Sequence, residues 1–204
     1  LNALSSISMQ AIDTADVTAM TSTQVGALSS TEMNYLTSDQ VQALTTGAVK
    51  ALTNATVQAL STDVLSALSS TQVQALSTGQ VQALSTSQIR DVASTQLQNL
   101  SSAQVAALTS SQLNILQLES LQAIETADMQ QMTTAQINAL SSSQLNNLSS
   151  DQLQALTTTQ VKALSSTQLN GLDTDHVQAL TSTELQALTT TQAQSLSASM
   201  LNLL

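Results

Sequence analysis

The chain is expected to be all-α: a solenoid of short helices of about two turns, one per eight-residue repeat. Three observations lead there. An aliphatic residue or Met recurs at every eighth position from Leu4 to Leu204, through Leu28, Leu36, Leu44, Leu100, Leu140 and Leu180, with no insertion or deletion. A second apolar position lies three residues before it in each repeat, as in Val25 and Leu28 or Leu153 and Leu156. Between anchors stands a phrase of the form Ser/Thr-Ser/Thr-x-Gln-Val/Leu-x-Ala. Sequence periods of this kind specify stacked arrays in which each unit buries its apolar face against its neighbours.

The positions of the octad are lettered a to h, with h the anchoring residue. Positions e and h are separated by three, which places both on one face of a helix but on opposite faces of a strand. Ala, common at g, and Gln, common at d, are better helix formers than strand formers. Positions a and d together read as a capping box: Ser69 and Gln72, Ser77 and Gln80, Thr157 and Gln160. In that motif the hydroxyl accepts from the third amide of the helix, and the Gln reaches back to the N-cap amide.

One uninterrupted helix is excluded. Eight residues advance a helix by about 800°, so a stripe of period eight slips by roughly 80° per repeat and winds around the axis. The apolar face stays buried only if the chain bends once per octad. The bend belongs at the Ser/Thr pair of a and b, whose hydroxyls compete with helical backbone bonding.

The charges agree with this phase. All acidic residues but Asp91 fall at a, c or d, and Lys50, Arg90 and Lys162 all fall at f. Anions in the first turn and cations in the last are what a helix dipole favours. A two-turn helix does not stand alone in water. Stability therefore comes from stacking, with e and h each worth about 1.5–3 kcal/mol of burial before ordering costs.

Residues 1–204 form a single continuous array in this reading. Leu1 falls mid-phrase and neither end carries a polar cap, so the array is expected to be a piece of a longer one or to associate end to end. The pattern leaves open whether two or three octads complete a superhelical turn. Two, an αα-hairpin-like stack, is the expected arrangement.

Composition excludes several functions. Only three cations stand against thirteen acidic residues, for a net charge of −10. No basic patch is available for nucleic acid or for an anionic membrane surface. No apolar run reaches the length of a membrane span. The absence of Cys removes disulfides and thiolate metal sites.

Ser is plentiful, but the one His, His176, sits in an ordinary octad. No Gly-rich phosphate loop and no nucleophile elbow is present. The chain is expected not to be an enzyme, and no catalytic, cofactor-binding or metal-binding residue is assigned. His176 replaces Gln at d and is expected to cap as the Gln does. Its neighbours Asp173 and Asp175 make a weak cation site conceivable, although a lone His is a poor metal ligand.

Tyr35, the only aromatic residue, replaces Ala at g and must point outward or wedge between repeats. Octad 117–124 lacks its cap, Gln117 and Leu118 standing in place of the Ser/Thr pair. Two outcomes are open there: a longer helix over 113–124, or a tolerated lapse in a drifting repeat. Ile7, Val64 and Met200 are apolar residues at normally polar positions.

Phrases such as Leu76-Ser-Thr-Gly-Gln-Val-Gln-Ala-Leu84 and Ala155-Leu-Thr-Thr-Thr-Gln-Val-Lys-Ala-Leu164 resemble repeat arrays in very large secreted or surface proteins of Gram-negative bacteria. Those proteins are of the adhesin, or haem utilisation or adhesion, type. The resemblance covers essentially the whole chain. It implies an extracellular or cell-surface location and a stalk, fibre or matrix role. It carries over no functional residue, and one His with one Tyr gives no basis for haem ligation.

The leading expectation is thus a structural repeat protein, an extracellular spacer or filament subunit that self-associates. Two alternatives stand beside it: a module binding a repetitive surface such as polysaccharide or ice, and a Gln/Asn-rich β-type fibrous assembly.

Overall fold

A computed structural model describes residues 4–91 and 94–203. Leu1, Val92 and Leu204, which belong to the sequence pattern, lie outside the described residues. The described residues form 25 helices, one per octad, and no strand. The fold is a solenoid of short helices, and the β-type fibrous reading is overturned. The Gln side chains that suggested it are spent on helix ends, as shown below.

Each helix has four to six residues. In the octad 37–44, Thr37 is the N-cap, its hydroxyl accepting from the Gln40 N–H while Gln40 accepts from the Thr37 N–H. The Val41 N–H bonds the Thr37 carbonyl at 2.9 Å, and the Leu44 N–H closes onto the Val41 carbonyl at 3.2 Å. Position b is already helical, so the Ser/Thr pair straddles the helix start rather than forming the whole bend.

The bend itself is made by two consecutive extended residues. Leu44 has φ −63° and ψ 136°, and Thr45, which opens the next octad, has φ −69° and ψ 154°. Acidic residues occupy first turns, as with Asp39 and Asp151, and Lys50 and Lys162 occupy last turns.

The chain divides into two compact units, Leu1–Ala107 and Leu108–Leu204. In the first, the helix Thr14–Ala19 packs on Ser38–Ala43, and Ser22–Gly26 on Thr46–Ala51. In the second, Thr134–Ala139 packs on Thr158–Ala163, and Ser150–Gln154 on Thr174–Ala179. Within each unit the closest packing is between a helix and the third one along. Side chains also reach the fourth, since Gln40 bonds Met9 and Ile12 four octads earlier.

Each superhelical turn therefore holds between three and four octads, not the two expected. The corner explains the difference. An αα-hairpin reverses the chain sharply, and such reversals commonly use a left-handed residue. Among the described residues no φ is positive. Two extended residues redirect the chain by only about a quarter to a third of a circle.

The interior of each unit is lined by d, e and h. Val41, Val49, Leu145 and Leu153 at e are fully buried, and Leu44 and Leu148 at h nearly so. The side chain at d is buried as well, which the reading of d as a helix-capping position alone did not foresee: Gln72, Gln80 and Gln152 are 1–2% exposed. Val64 and Met200, at d, are therefore core residues, whereas Ile7, at c, is exposed.

Octad 117–124 resolves as the tolerated lapse. The helix Ser110–Asn114 ends, and a new one runs from Leu118 to Gln122 with Gln117 as an N-cap that makes no side-chain bond. Leu113, Leu116, Leu121 and Ile124 are all buried. The chain therefore bends here without a side-chain cap, and the apolar residues on both sides of the corner stay in the interior.

Candidate functional site

The feature with the most concentrated chemistry is the slot occupied by position d. A capping-box Gln spends only its oxygen on its own helix. In octad 69–76 the Ser69 N–H donates to Gln72 Oε1 at 2.8 Å, while Gln72 Nε2 donates to the Val41 carbonyl at 2.8 Å and the Leu44 carbonyl at 2.7 Å. Those carbonyls lie at e and h of the octad four before, at a helix C-terminus where backbone acceptors otherwise go unpaired.

Gln80 binds Val49 and Leu52 in this way, and Gln104 binds Val73 and Leu76. In the second unit Gln152 binds Leu121 and Ile124, Gln160 binds Met129 and Met132, and Gln168 binds Ile137 and Leu140. Each Gln thus ties one helix start to a helix end on the adjacent turn.

Position f forms a second ladder, outside the first. Asn34, Asn138, Asn146, Gln154 and Asn170 donate through their amides to Ala59, Ala163, Gly171, Ala179 and Ser195, each the g carbonyl of the third octad along. Three of these Asn residues also accept, from the N-cap N–H of the fourth octad along: Asn34 from Ser61, Asn146 from Asp173 and Asn170 from Ser197. Those octads carry Val64, His176 and Met200 at d, which offer the N-cap amide no bond of their own. An f-position Asn supplies what the missing Gln does not.

Neither ladder was legible in the sequence beyond its capping half. A signal was nevertheless present. Glu satisfies a capping box as well as Gln does, yet among these octads Glu stands at d only at Glu32 and Glu184. A preference for Gln over Glu points to a role for the amide N–H. Glu184 shows the cost of the exception: Oε2 accepts from the Thr181 N–H at 2.7 Å, and Oε1 is buried without a partner.

His176 does not cap as a Gln would. Its Nδ1 lies 2.6 Å from Asp173 Oδ1 and its Nε2 lies 2.9 Å from the Leu148 carbonyl, while the Asp173 N–H turns to Asn146. Burial pulls the imidazole pKa down. The hydrogen bond to the Leu148 carbonyl, the hydrogen bond to Asp173 and the charges of Asp173 and Asp175 outweigh that, and the net direction is upward. The Asp173 carboxyl is lowered, mainly by accepting the His176 N–H and then by the ring contact.

Both ring nitrogens are engaged, so neither is open to a cation. Among the described residues no group of three or more His, Asp or Glu is placed to hold a metal ion. Tyr35 is half-buried at the edge of its turn.

Between third-neighbour helices run shallow open grooves. One is lined by Thr14, Thr18, Asp39 and Gln42, another by Thr134, Asn138 and Ala163. Neither brings a nucleophile to a base, the minimum for covalent catalysis. Among the described residues no helix is long and apolar enough to cross a membrane.

Comparison with known families gives a match to the ALTTAQ repeat over residues 9–46, 121–158 and 153–182. In octad register the six letters of that name are g, h, a, b, c and d, as read in Ala155-Leu-Thr-Thr-Thr-Gln160. They take in the anchoring apolar residue, the N-cap and the Gln of the slot. The chain is a repeat array similar to that family. No curated protein matches it significantly.

Proposed function

We propose that the chain serves a structural role, as a non-catalytic spacer or filament-forming subunit outside the cell or on its surface. The observation that supports this most is the Gln ladder. The rungs of Gln72, Gln80, Gln104, Gln152, Gln160 and Gln168 use the same atoms at the same sequence offsets, so turns can be added without altering the joint between them. Stability in such an array is a sum over neighbours rather than the property of one closed core.

The exposed surface fits the same role. Positions a, b and c are mostly uncharged Ser and Thr, and the few charges are acidic. A surface of this kind stays hydrated and offers no basic face for nonspecific capture. The resemblance to arrays of large bacterial surface proteins supports the extracellular part of the proposal.

The decisive experiment is electron microscopy of the purified chain over a range of concentrations, with sedimentation velocity on the same samples. End-joined particles that lengthen with concentration are expected of the filament role. Isolated particles at every concentration overturn it and leave the spacer. Antibody labelling of intact source cells tests location, and label that requires permeabilisation overturns the extracellular assignment.

A further inference from the structure

His176 occupies a slot that most octads fill with an amide, and the substitution changes what the joint responds to. An amide donates through Nε2 at any pH. An imidazole has two N–H groups only when charged, and one when neutral. Both ring nitrogens here face atoms that only accept: a carboxylate oxygen at 2.6 Å and a backbone carbonyl at 2.9 Å. The ring is buried, so water cannot readily replace a lost partner.

We propose that octad 173–180 is a pH-gated joint of the second unit, fastened to octad 141–148 when His176 is an imidazolium and slackened when it is neutral. In the charged state one proton bridges to Asp173 and the other to the Leu148 carbonyl. Loss of either proton leaves a nitrogen lone pair against an oxygen lone pair. The joint then rests on e and h packing and on Asn146, which holds the Asp173 N–H and the Gly171 carbonyl.

The surrounding charges favour the fastened state. Asp173 and Asp175 lie on the same octad, and the packed helix Ser150–Gln154 carries Asp151. The following helix, Ser182–Ala187, carries Glu184. Octad 141–148 and the helices Ser166–Asn170 and Ala198–Leu201 contribute no ionisable side chain. No cation stands on any of these elements.

The sign of the pH dependence follows. A His whose folded pKa is raised stabilises fully below its ordinary value of 6.5, and the contribution is lost as pH rises through the raised folded value. The joint is tight in mild acid and loosens toward alkaline pH.

The test exploits His176 being the only His in the chain. Its ring resonances are titrated by NMR in the full chain, and hydrogen exchange of amides 173–180 is compared with that of amides 157–164, corrected for intrinsic rates, from mildly acid to alkaline pH. The titration midpoint is expected above the ordinary His value, with protection of 173–180 falling several-fold relative to 157–164 as His176 deprotonates. His176→Gln restores the residue the array uses elsewhere, so it folds, and it should hold the ratio constant. Asp173→Asn keeps an N-cap acceptor and should move the midpoint down. An undisplaced midpoint, or the same pH-dependent loss of protection in H176Q, overturns the proposal.

Discussion

The side-chain oxygen of Asn34 accepts the backbone N–H of Ser61 at 2.8 Å, across a turn and 27 residues of chain. Ser61 opens the octad in which Val64 stands where a Gln would accept that same N–H. One Asn thus repairs a defect four octads away, and its own amide simultaneously binds the Ala59 carbonyl. Removing it leaves both groups without a protein partner. Asn34→Ala is expected to destabilise the first unit by about 1–3 kcal/mol. The loss should shrink in a Val64→Gln background, where the new Gln takes over the Ser61 N–H. A double-mutant cycle by urea unfolding should give a coupling of about 1 kcal/mol, and strict additivity would show the two positions to be independent.

Glu184→Gln is expected to stabilise the second unit. The unpartnered Oε1 is replaced by an amide that, in the register of Gln152, donates to the carbonyls of Leu153 and Leu156. Relief of one buried unsatisfied oxygen is worth about 1–3 kcal/mol. The converse change, Gln152→Glu, strips donors from the Leu121 and Ile124 carbonyls and should cost a similar amount. Thermal unfolding at neutral pH checks both signs.

Gln117→Ser supplies a hydroxyl cap to a helix start that has no side-chain cap. A gain of about 0.5–2 kcal/mol is expected, readable as an upward shift in the unfolding midpoint. No gain would mean that the corner at Leu116 and Gln117 is set so firmly by its buried neighbours that the cap adds nothing.

Gly26 sits at f, where a Cβ would lie 2.8 Å from the Ala51 carbonyl oxygen on the adjacent turn. That neighbour is backbone and cannot rotate away. Gly26→Ala should therefore push the helix Thr46–Ala51 outward and cost about 1–3 kcal/mol, as overpacking does. Gly79→Ala, whose Cβ meets only side-chain atoms of Asn54 and Ser77 at 3.5 Å and beyond, is the control and should be near neutral.

What could be read from the sequence was whatever depends on neighbours within one octad. The helix phase, the Ser69–Gln72 type of capping box, the burial of e and h and the sorting of charge are all local, and all are present. The number of octads per turn was misjudged because it depends on the corner angle. That angle comes from two extended residues such as Leu44 and Thr45, whose identities do not distinguish a hairpin from a gentler bend. The second arm of Gln72 was missed for the same reason, since its acceptors 28 and 31 residues back cannot be located until the turn is known. His176 was read as a cap by analogy with Gln. Its ring instead took the Asp173 carboxylate and the Leu148 carbonyl, leaving the amide at Asp173 to Asn146.

The pairing of Asn34 with Ser61, Asn146 with Asp173 and Asn170 with Ser197 bears on how such an array can change its length. Consensus octads are interchangeable, because the slot Gln binds backbone carbonyls, which every copy presents. The Asn repairs are addressed to one particular octad. Excising a single copy between residues 37 and 60 would bring Asn34 opposite Ser69, whose N–H Gln72 already holds, and strand the N–H of Ser61. Unequal recombination inside these intervals is penalised, while the stretches between them stay free to gain or shed copies. The irregular positions, rather than the regular ones, keep count.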